Sequence, residues 1–288
     1  MFRRSRARVA PPSAKEAELL SAAMSGSFPV VKEILETHPN INVNVVDVAD
    51  HSNSPLHYAA YVGSSAIVSL LMSHPRIEVN LKNDYGRAPF QAACVNGTTA
   101  CAKLLLNDSR VKDLVSLDQD GHTPLYWVAN FDYVEILEYW IATGSEMNAN
   151  LKAHIPAAGD PDRSSKVTQL LEKMVEDPAR TVEEVRRKIH YYDERAAGLF
   201  ALVIFTCDDF FHVRTSTREA RFFRMASQLP MELQMLLCFR VVGSKKMLIA
   251  SQERERAFAD IQKSLGTHKT VKHDGKAFKT LLKAIGAR

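Results

Sequence analysis

The side chains able to do covalent or metal chemistry are scattered through this 288-residue chain. Four cysteines, Cys94, Cys101, Cys207 and Cys238, include no CxxC pair, and no second cysteine or histidine stands at zinc-ligand spacing around any of them. They read as free structural thiols in a reducing compartment, cytoplasm or nucleus. The one grouping a reaction could use is Cys207, Asp208, Asp209 and His212, which sets a thiol, two carboxylates and an imidazole close together. A carboxylate pair ending an apolar run is far more commonly a solvated boundary, and spacing alone places no partner base. The sequence holds no GxGxxG, no GxxxxGK followed by Ser or Thr, no HExxH and no GxSxG. The expectation is a non-enzymatic chain with no catalytic residue, no metal and no cofactor.

With 46% hydrophobic and 24% charged residues, the composition is that of a folded globular protein. The longest strongly apolar run, residues 196–207, is shorter than the ~20 residues a membrane helix needs. No membrane association is expected. The net charge of +4 is unevenly spread. Residues 1–13 carry Arg3, Arg4, Arg6 and Arg8, and residues 263–288 carry six lysines and Arg288 against Asp274, leaving the body acidic. Cationic arms on a mildly acidic body argue against a nucleic-acid surface.

What must position any functional residue is a repeat. Three segments align on a proline: HSNSPLHYAAYVGSSAIVSLLMSHPRIEVN from His51, NDYGRAPFQAACVNGTTACAKLLLNDSRV from Asn83, and DQDGHTPLYWVANFDYVEILEYWIATGSEMN from Asp118. Pro55, Pro89 and Pro124 are 34 and 35 residues apart. Upstream, ELLSAAMSGSFPVVKEILETHPNINVN from Glu18 has the helical part without the proline turn, as an amino-terminal cap should. Proline starts a helix where no backbone donor is needed, and Ser54 and Thr123 are placed to cap it. The pairs Ala22-Ala23, Ala59-Ala60 and Ala92-Ala93 allow close helix approach, and Gly26, Gly63 and Gly97 suit a left-handed helix end. Leu70-Leu71 and Leu104-Leu105 supply the apolar stripe of a second helix.

These segments resemble the ankyrin repeat, and residues 118–125, DQDGHTPL, match its turn and Thr-Pro-Leu-His element best. The resemblance implies an all-α solenoid of helix-turn-helix repeats with β-turn tips, a cap and three repeats over residues 14–150, and protein binding on a concave face. It also gives His57 the role of hydrogen-bonding to the adjacent turn. The third repeat departs from the pattern: Tyr126 replaces His, and Trp127-Val128-Ala129 with Asp132 replaces the small pair and Gly. This repeat is expected to pack differently and to meet another part of the chain or a partner. Carried position by position, the binding surface is Asp50, His51, Asn53, Tyr61 and Val62; Asp84, Tyr85, Arg87, Val95 and Asn96; and Gln119, Asp120, His122, Asn130 and Phe131. The expected ligand is a protein, held by a scaffold or adaptor.

After residue 150 the repeat fades, and 151–180 reads as a linker or degenerate repeat with a helical pattern over 165–177. A helical carboxy-terminal domain is expected over 181–265, opening at a Thr181 capping box. Residues 200–213 fit a helix or a strand, with helix favoured because a lone strand has no partner. Residues 1–13 and 266–288 remain as basic terminal segments. Within the second half, Leu229, Pro230, Glu232 and Leu233 open a segment to residue 243 that resembles the start of an F-box. That resemblance implies a helix engaging the Skp adaptor of cullin-RING ubiquitin ligases. The alternative is an ordinary structural helix, since proline before an amphipathic stretch is common.

Overall fold

The computed structural model describes residues 11–112, 114–145, 165–207, 226, 228–229, 231–241 and 257, with helical backbone alone at 202, 204–207, 232, 236, 239 and 240. Several features singled out above lie outside the described residues: the arginines before residue 11, residues 146–164, Asp208, Asp209, His212, Pro230 and the basic tail. The side chains of Cys207 and Glu232 lie outside them too. The chain divides into two units, residues 1–178 and 179–288.

The first unit is built from four helix pairs: α1 (Ala14–Met24) with α2 (Phe28–Thr37), α3 (Pro55–Val62) with α4 (Ser65–Ser73), α5 (Pro89–Asn96) with α6 (Thr99–Asn107), and α7 (Pro124–Asn130) with α8 (Val134–Thr143). The inner helices α1, α3, α5 and α7 pack in sequence, as do the outer helices α2, α4, α6 and α8. This is an all-α repeat solenoid. Ser54 and Thr123 do cap their helices, accepting from the backbone N–H groups of His57 (3.4 Å) and Tyr126 (3.2 Å). Ala88, at the same position of α5, has no side-chain cap to offer.

Close packing rests on small residues, with Ala59, Ala60, Ala93 and Cys94 all fully buried. Counted from each repeat's proline, Cys94 rather than Ala92 occupies the place of Ala60, and Val128-Ala129 takes that place in the third repeat. Gly63 and Gly97 end their helices at φ 87° and 67°. The equivalent residue of the third repeat is Asp132, left-handed at φ 55° despite its side chain. Its carboxylate accepts the Val167 N–H at 3.0 Å in the first turn of α9 (Lys166–Glu176). Helix α9 packs on α7 and α8. The non-consensus third repeat is thus where a further helix of the same unit attaches.

At the boundary of the second unit, α10 (Pro178–Lys188) starts before Thr181, which is buried inside the helix and does not cap it. Pro178 accounts for the earlier start, because proline fixes φ and needs no donor in a first helical turn. His190, at φ 53°, separates α10 from α11 (Tyr191–Cys207). The 200–213 segment is helical as far as Cys207. Helix α12 (Met231–Val241) packs against α11, burying Met235 and Cys238. Among the described residues, no helix is long and apolar enough to cross a membrane.

Candidate protein-binding surface

Each repeat presents a turn whose shape is set by one side chain. Asp47, Asn83 and Asp118 each accept two backbone N–H groups of their own turn, from Ala49 and Asp50, Tyr85 and Arg87, and Asp120 and His122, at 2.8–3.3 Å. Successive turns are joined by backbone bonds, Asp84 N–H to the His51 carbonyl and Gln119 N–H to the Tyr85 carbonyl, both 2.8 Å. Asn83 Nδ2 adds a bond to Asn53 Oδ1 at 2.8 Å.

His57 spans the first junction. Its Nδ1 accepts the Ser54 N–H at 3.2 Å, which leaves Nε2–H to donate to the Arg87 carbonyl at 2.9 Å. The Ser54 N–H needs the unprotonated Nδ1 of the neutral ring, and burial pushes the imidazole pKa down to about 4. Gln91 does the same work one repeat on, donating from Nε2 to the His122 carbonyl at 3.0 Å.

The second junction also contains a charged cluster. The Asp118 side chain has no exposed surface, and Arg87 keeps 15% of its own. Asp118 Oδ2 accepts from Arg87 Nε at 2.9 Å and from Trp127 Nε1 at 3.2 Å. Burial pushes the Asp118 carboxyl up, but the His122 N–H, Arg87 and Trp127 outweigh it and hold the group below its ordinary value. The Arg87 guanidinium lies between two rings, 5.0 Å from Tyr85 and 4.7 Å from Trp127. Rings continue on both sides. Tyr85 meets His51 at 4.4 Å and hydrogen-bonds its Nε2 at 2.8 Å, and Trp127 stacks on Phe131, which meets Tyr133 at 5.7 Å. His122 stacks on Tyr126 at 3.9 Å.

The surface-residue set therefore divides by role. Asn53, Tyr85 and Arg87 bind neighbouring turns, and Asn96 donates to the Tyr61 carbonyl at 2.7 Å. Tyr61, Val62 and Phe131 are instead about half exposed, while Asn130 and Val95 are partly covered. Tyr61, Val95 and Asn130 are equivalent positions at the ends of α3, α5 and α7, with Val62, Asn96 and Phe131 next to them. Together they form one band across the inner helices. Asp50, Gln119 and Asp120 stand in the turns above it, with Asp84 partly covered.

A family model of ankyrin repeats matches residues 14–83 and 75–151. Residues 14–151 belong to the ankyrin-repeat family. Curated proteins similar to the chain include the SMC5-SMC6 complex localization factor protein 1 of Bos taurus, 28% identical over 152 residues covering 51% of this chain and 14% of that protein. The probable E3 ubiquitin-protein ligase XBOS32 of Oryza sativa is 38% identical over 85 residues, covering 30% of this chain and 16% of that protein. The probable 26S proteasome regulatory subunit p28 of Saccharomyces cerevisiae is 26% identical over 132 residues, covering 45% and 56%. The chain thus spans only a small part of the first two relatives. Ankyrin repeats generally serve as non-enzymatic interaction modules, and here they form a protein-interaction scaffold.

Two chemical options within the described residues are weakened by their surroundings. Asp118, Asp120 and His122 bring ligand atoms within 4.8 Å of one another, as a metal site requires. The ankyrin turn already places a cation there: Arg87 bonds Asp118 and reaches Asp120 at 3.4 Å. Of the thiols, burial pushes Cys101 up to about 11 and Cys238 up to about 12, with Cys94 also raised, so all three stay protonated at neutral pH. Sequence reasoning did not assign Asp118 to the cluster. The available signal was an Asp at the turn-shaping position with Arg87 in the preceding turn and Trp127 in α7, and it is too diffuse to read without the register between repeats.

Proposed function

We propose that the ankyrin stack binds a protein ligand on the face formed by its inner helices and turn tips, as a scaffold or adaptor in the cytoplasm or nucleus. The observation that carries this reading is the band of Tyr61, Val62 and Phe131. Three sizeable apolar side chains remain about half exposed at equivalent edges of the repeats, although the surrounding helices have room to bury other side chains completely. Aromatic residues of this kind anchor interfaces when ringed by polar neighbours, here Asn96, Asn130 and the turns.

The test is a quantitative affinity purification of full-length wild type against Tyr61→Ala/Phe131→Ala, with unfolding curves confirming equal stability. Loss of specific partners from the variant supports the reading. An unchanged partner set would sink it.

A second reading treats the protein as a substrate receptor of a cullin-RING ubiquitin ligase. It is supported by exposed Leu229, Met231, Leu233 and Val241 at α12, an apolar surface available to an adaptor. The likeness to the ligase XBOS32 covers 30% of this chain and carries no ligase activity to it. Co-purification with the Skp adaptor, lost in Leu229→Ala/Pro230→Ala, is the expected result, and recovery of no adaptor removes the reading. An enzymatic site around Cys207–His212 is the most distant alternative.

A further inference from the structure

With the inner-helix face taken as the binding surface, as proposed above, the turns that edge it carry an excess of negative charge. The turns 47–53, 82–88 and 117–123 hold five carboxylates, Asp47, Asp50, Asp84, Asp118 and Asp120, against two cations, Lys82 and Arg87. Arg87 is spent within the stack, flanked by two rings, bonded to Asp118 and 3.4 Å from Asp120. It shows how this face accommodates a guanidinium: aromatic surface on the flanks and a carboxylate at the end.

The turns on either side of Arg87 repeat parts of that arrangement with no second arginine. Asp50 is 46% exposed beside the His51–Tyr85 ring pair, one of its oxygens accepting the Tyr58 O–H at 2.7 Å, and Asp120 is 59% exposed in the turn that also carries His122, itself stacked on Tyr126, with one oxygen 3.4 Å from the Arg87 guanidinium. Asn53 occupies in the first turn the position that Arg87 occupies in the second. Below this acidic, ring-lined edge runs the apolar band of Tyr61, Val62 and Phe131.

We propose that the occupant is a segment of a partner protein with arginine or lysine along one edge and apolar side chains along the other. Its cations meet Asp50 and Asp120 in the turns, and its apolar side chains cover Tyr61 and Phe131. Opposite charge across such an interface speeds encounter and fixes the ligand's orientation, and a guanidinium gains further from ring faces.

The test uses fluorescence anisotropy on the full chain with two labelled peptides of about twelve residues, long enough to cross the three repeats. One alternates Arg and Leu, and the other alternates Glu and Leu. The Arg-Leu peptide is expected to bind at least about tenfold more tightly than the Glu-Leu peptide, and to weaken markedly as salt is raised. Asp50→Asn/Asp120→Asn should weaken it about tenfold. Both changes keep an amide oxygen to accept the Tyr58 O–H at position 50 and the Arg87 N–H at position 120, unfolding curves check that the turns are intact, and the salt dependence of the wild type gives a readout that needs no variant. Equal binding of the Glu-Leu peptide, or an Arg-Leu affinity unmoved by the double substitution, overturns the proposal.

Affinity purification separates the two layers of argument. Cellular partners lost in Tyr61→Ala/Phe131→Ala but kept in Asp50→Asn/Asp120→Asn leave the binding face standing and remove its cationic ligand. Partners kept in both variants remove the face itself.

Discussion

At the turns between the first and second full repeats, the chain is joined by neutral groups: the His57 imidazole on a carbonyl, Asn83 on Asn53, and backbone bonds, while the ion-paired Arg110 reaches the Met72 carbonyl at the far ends of the outer helices. One junction further on, the equivalent backbone bonds are kept and Gln91 replaces His57. A buried carboxylate and a guanidinium held between rings are added. The same fold thus tolerates two ways of joining repeats. Neutral bonds cost little when one is lost, whereas a charge pair leaves an uncompensated ion if one partner is removed. The second junction should be the more brittle to single substitutions, and the first the more sensitive to mild acid.

The largest expected effect lies at the second junction. Asp118→Ala leaves Arg87 with only its long contact to Asp120 and the Trp127 N–H without its acceptor, and should cost roughly 3 kcal/mol, against about 1 kcal/mol for Asn83→Ala at the first, measured by urea unfolding. Adding Arg87→Met to Asp118→Ala should recover much of the loss. If the two single substitutions cost the same, the contrast between the junctions fails.

Next comes steric fit. A Cβ on Gly97 would approach the Tyr133 ring too closely for any real contact, at φ 67°, whereas one on Gly26, at φ 70°, meets Val62 Cγ1 at an ordinary 3.7 Å. Gly97→Ala should destabilise by about 2–3 kcal/mol, and Gly26→Ala by about 1 kcal/mol from backbone strain alone. Thermal melts of the two variants provide the comparison.

Acid should act on the first junction before the second. His57 is held neutral in the folded chain, with its pKa lowered from 6.5 to about 4. The unfolded chain therefore binds the extra proton first. The stabilising contribution is complete well above pH 6.5 and is lost as pH falls towards 4, the loss reaching roughly 2 kcal/mol by pH 5. Asp118 is lowered from 3.8, so its contribution is present above that value and disappears only in stronger acid. His57→Gln should fold and lose the dependence between pH 7 and 5, because Gln91 already makes the equivalent bond. Unchanged acid sensitivity in that variant would contradict the assignment.

The smallest effect is expected at Asp132. Substitution by Gly gives up the bond to the Val167 N–H but relieves the left-handed backbone, so the net change should stay within about 1 kcal/mol. Asp132→Ala loses the bond without relieving the strain and should be the worse of the two in the same unfolding assay.

Much of this architecture was legible in residue types alone. The spacing of Pro55, Pro89 and Pro124, the caps at Ser54 and Thr123, and the left-handed ends at Gly63 and Gly97 follow from local backbone chemistry. So does the His57 bond, once the turns are known to stack. What could not be read depends on register between repeats. Cys94 rather than Ala92 fills the tight position, Ser52 takes a left-handed conformation where the later turns have glycine, and Arg87, an expected contact residue, is committed to Asp118. In the second half the Thr181 capping pattern was overridden by Pro178, and the break at His190 carries no glycine or proline to mark it. Position along a turn separates exposed Asp120 from buried Asp118, and composition does not.

The most direct test of the concave face as the binding surface is site-specific photo-crosslinking in native cells. A benzophenone side chain placed at Tyr61 or Phe131 is compared with one at Ser69 or Ala100, exposed positions on the outer helices α4 and α6. The account predicts a discrete partner adduct from Tyr61 and Phe131 and none from Ser69 or Ala100. Adducts from the outer helices alone would contradict it.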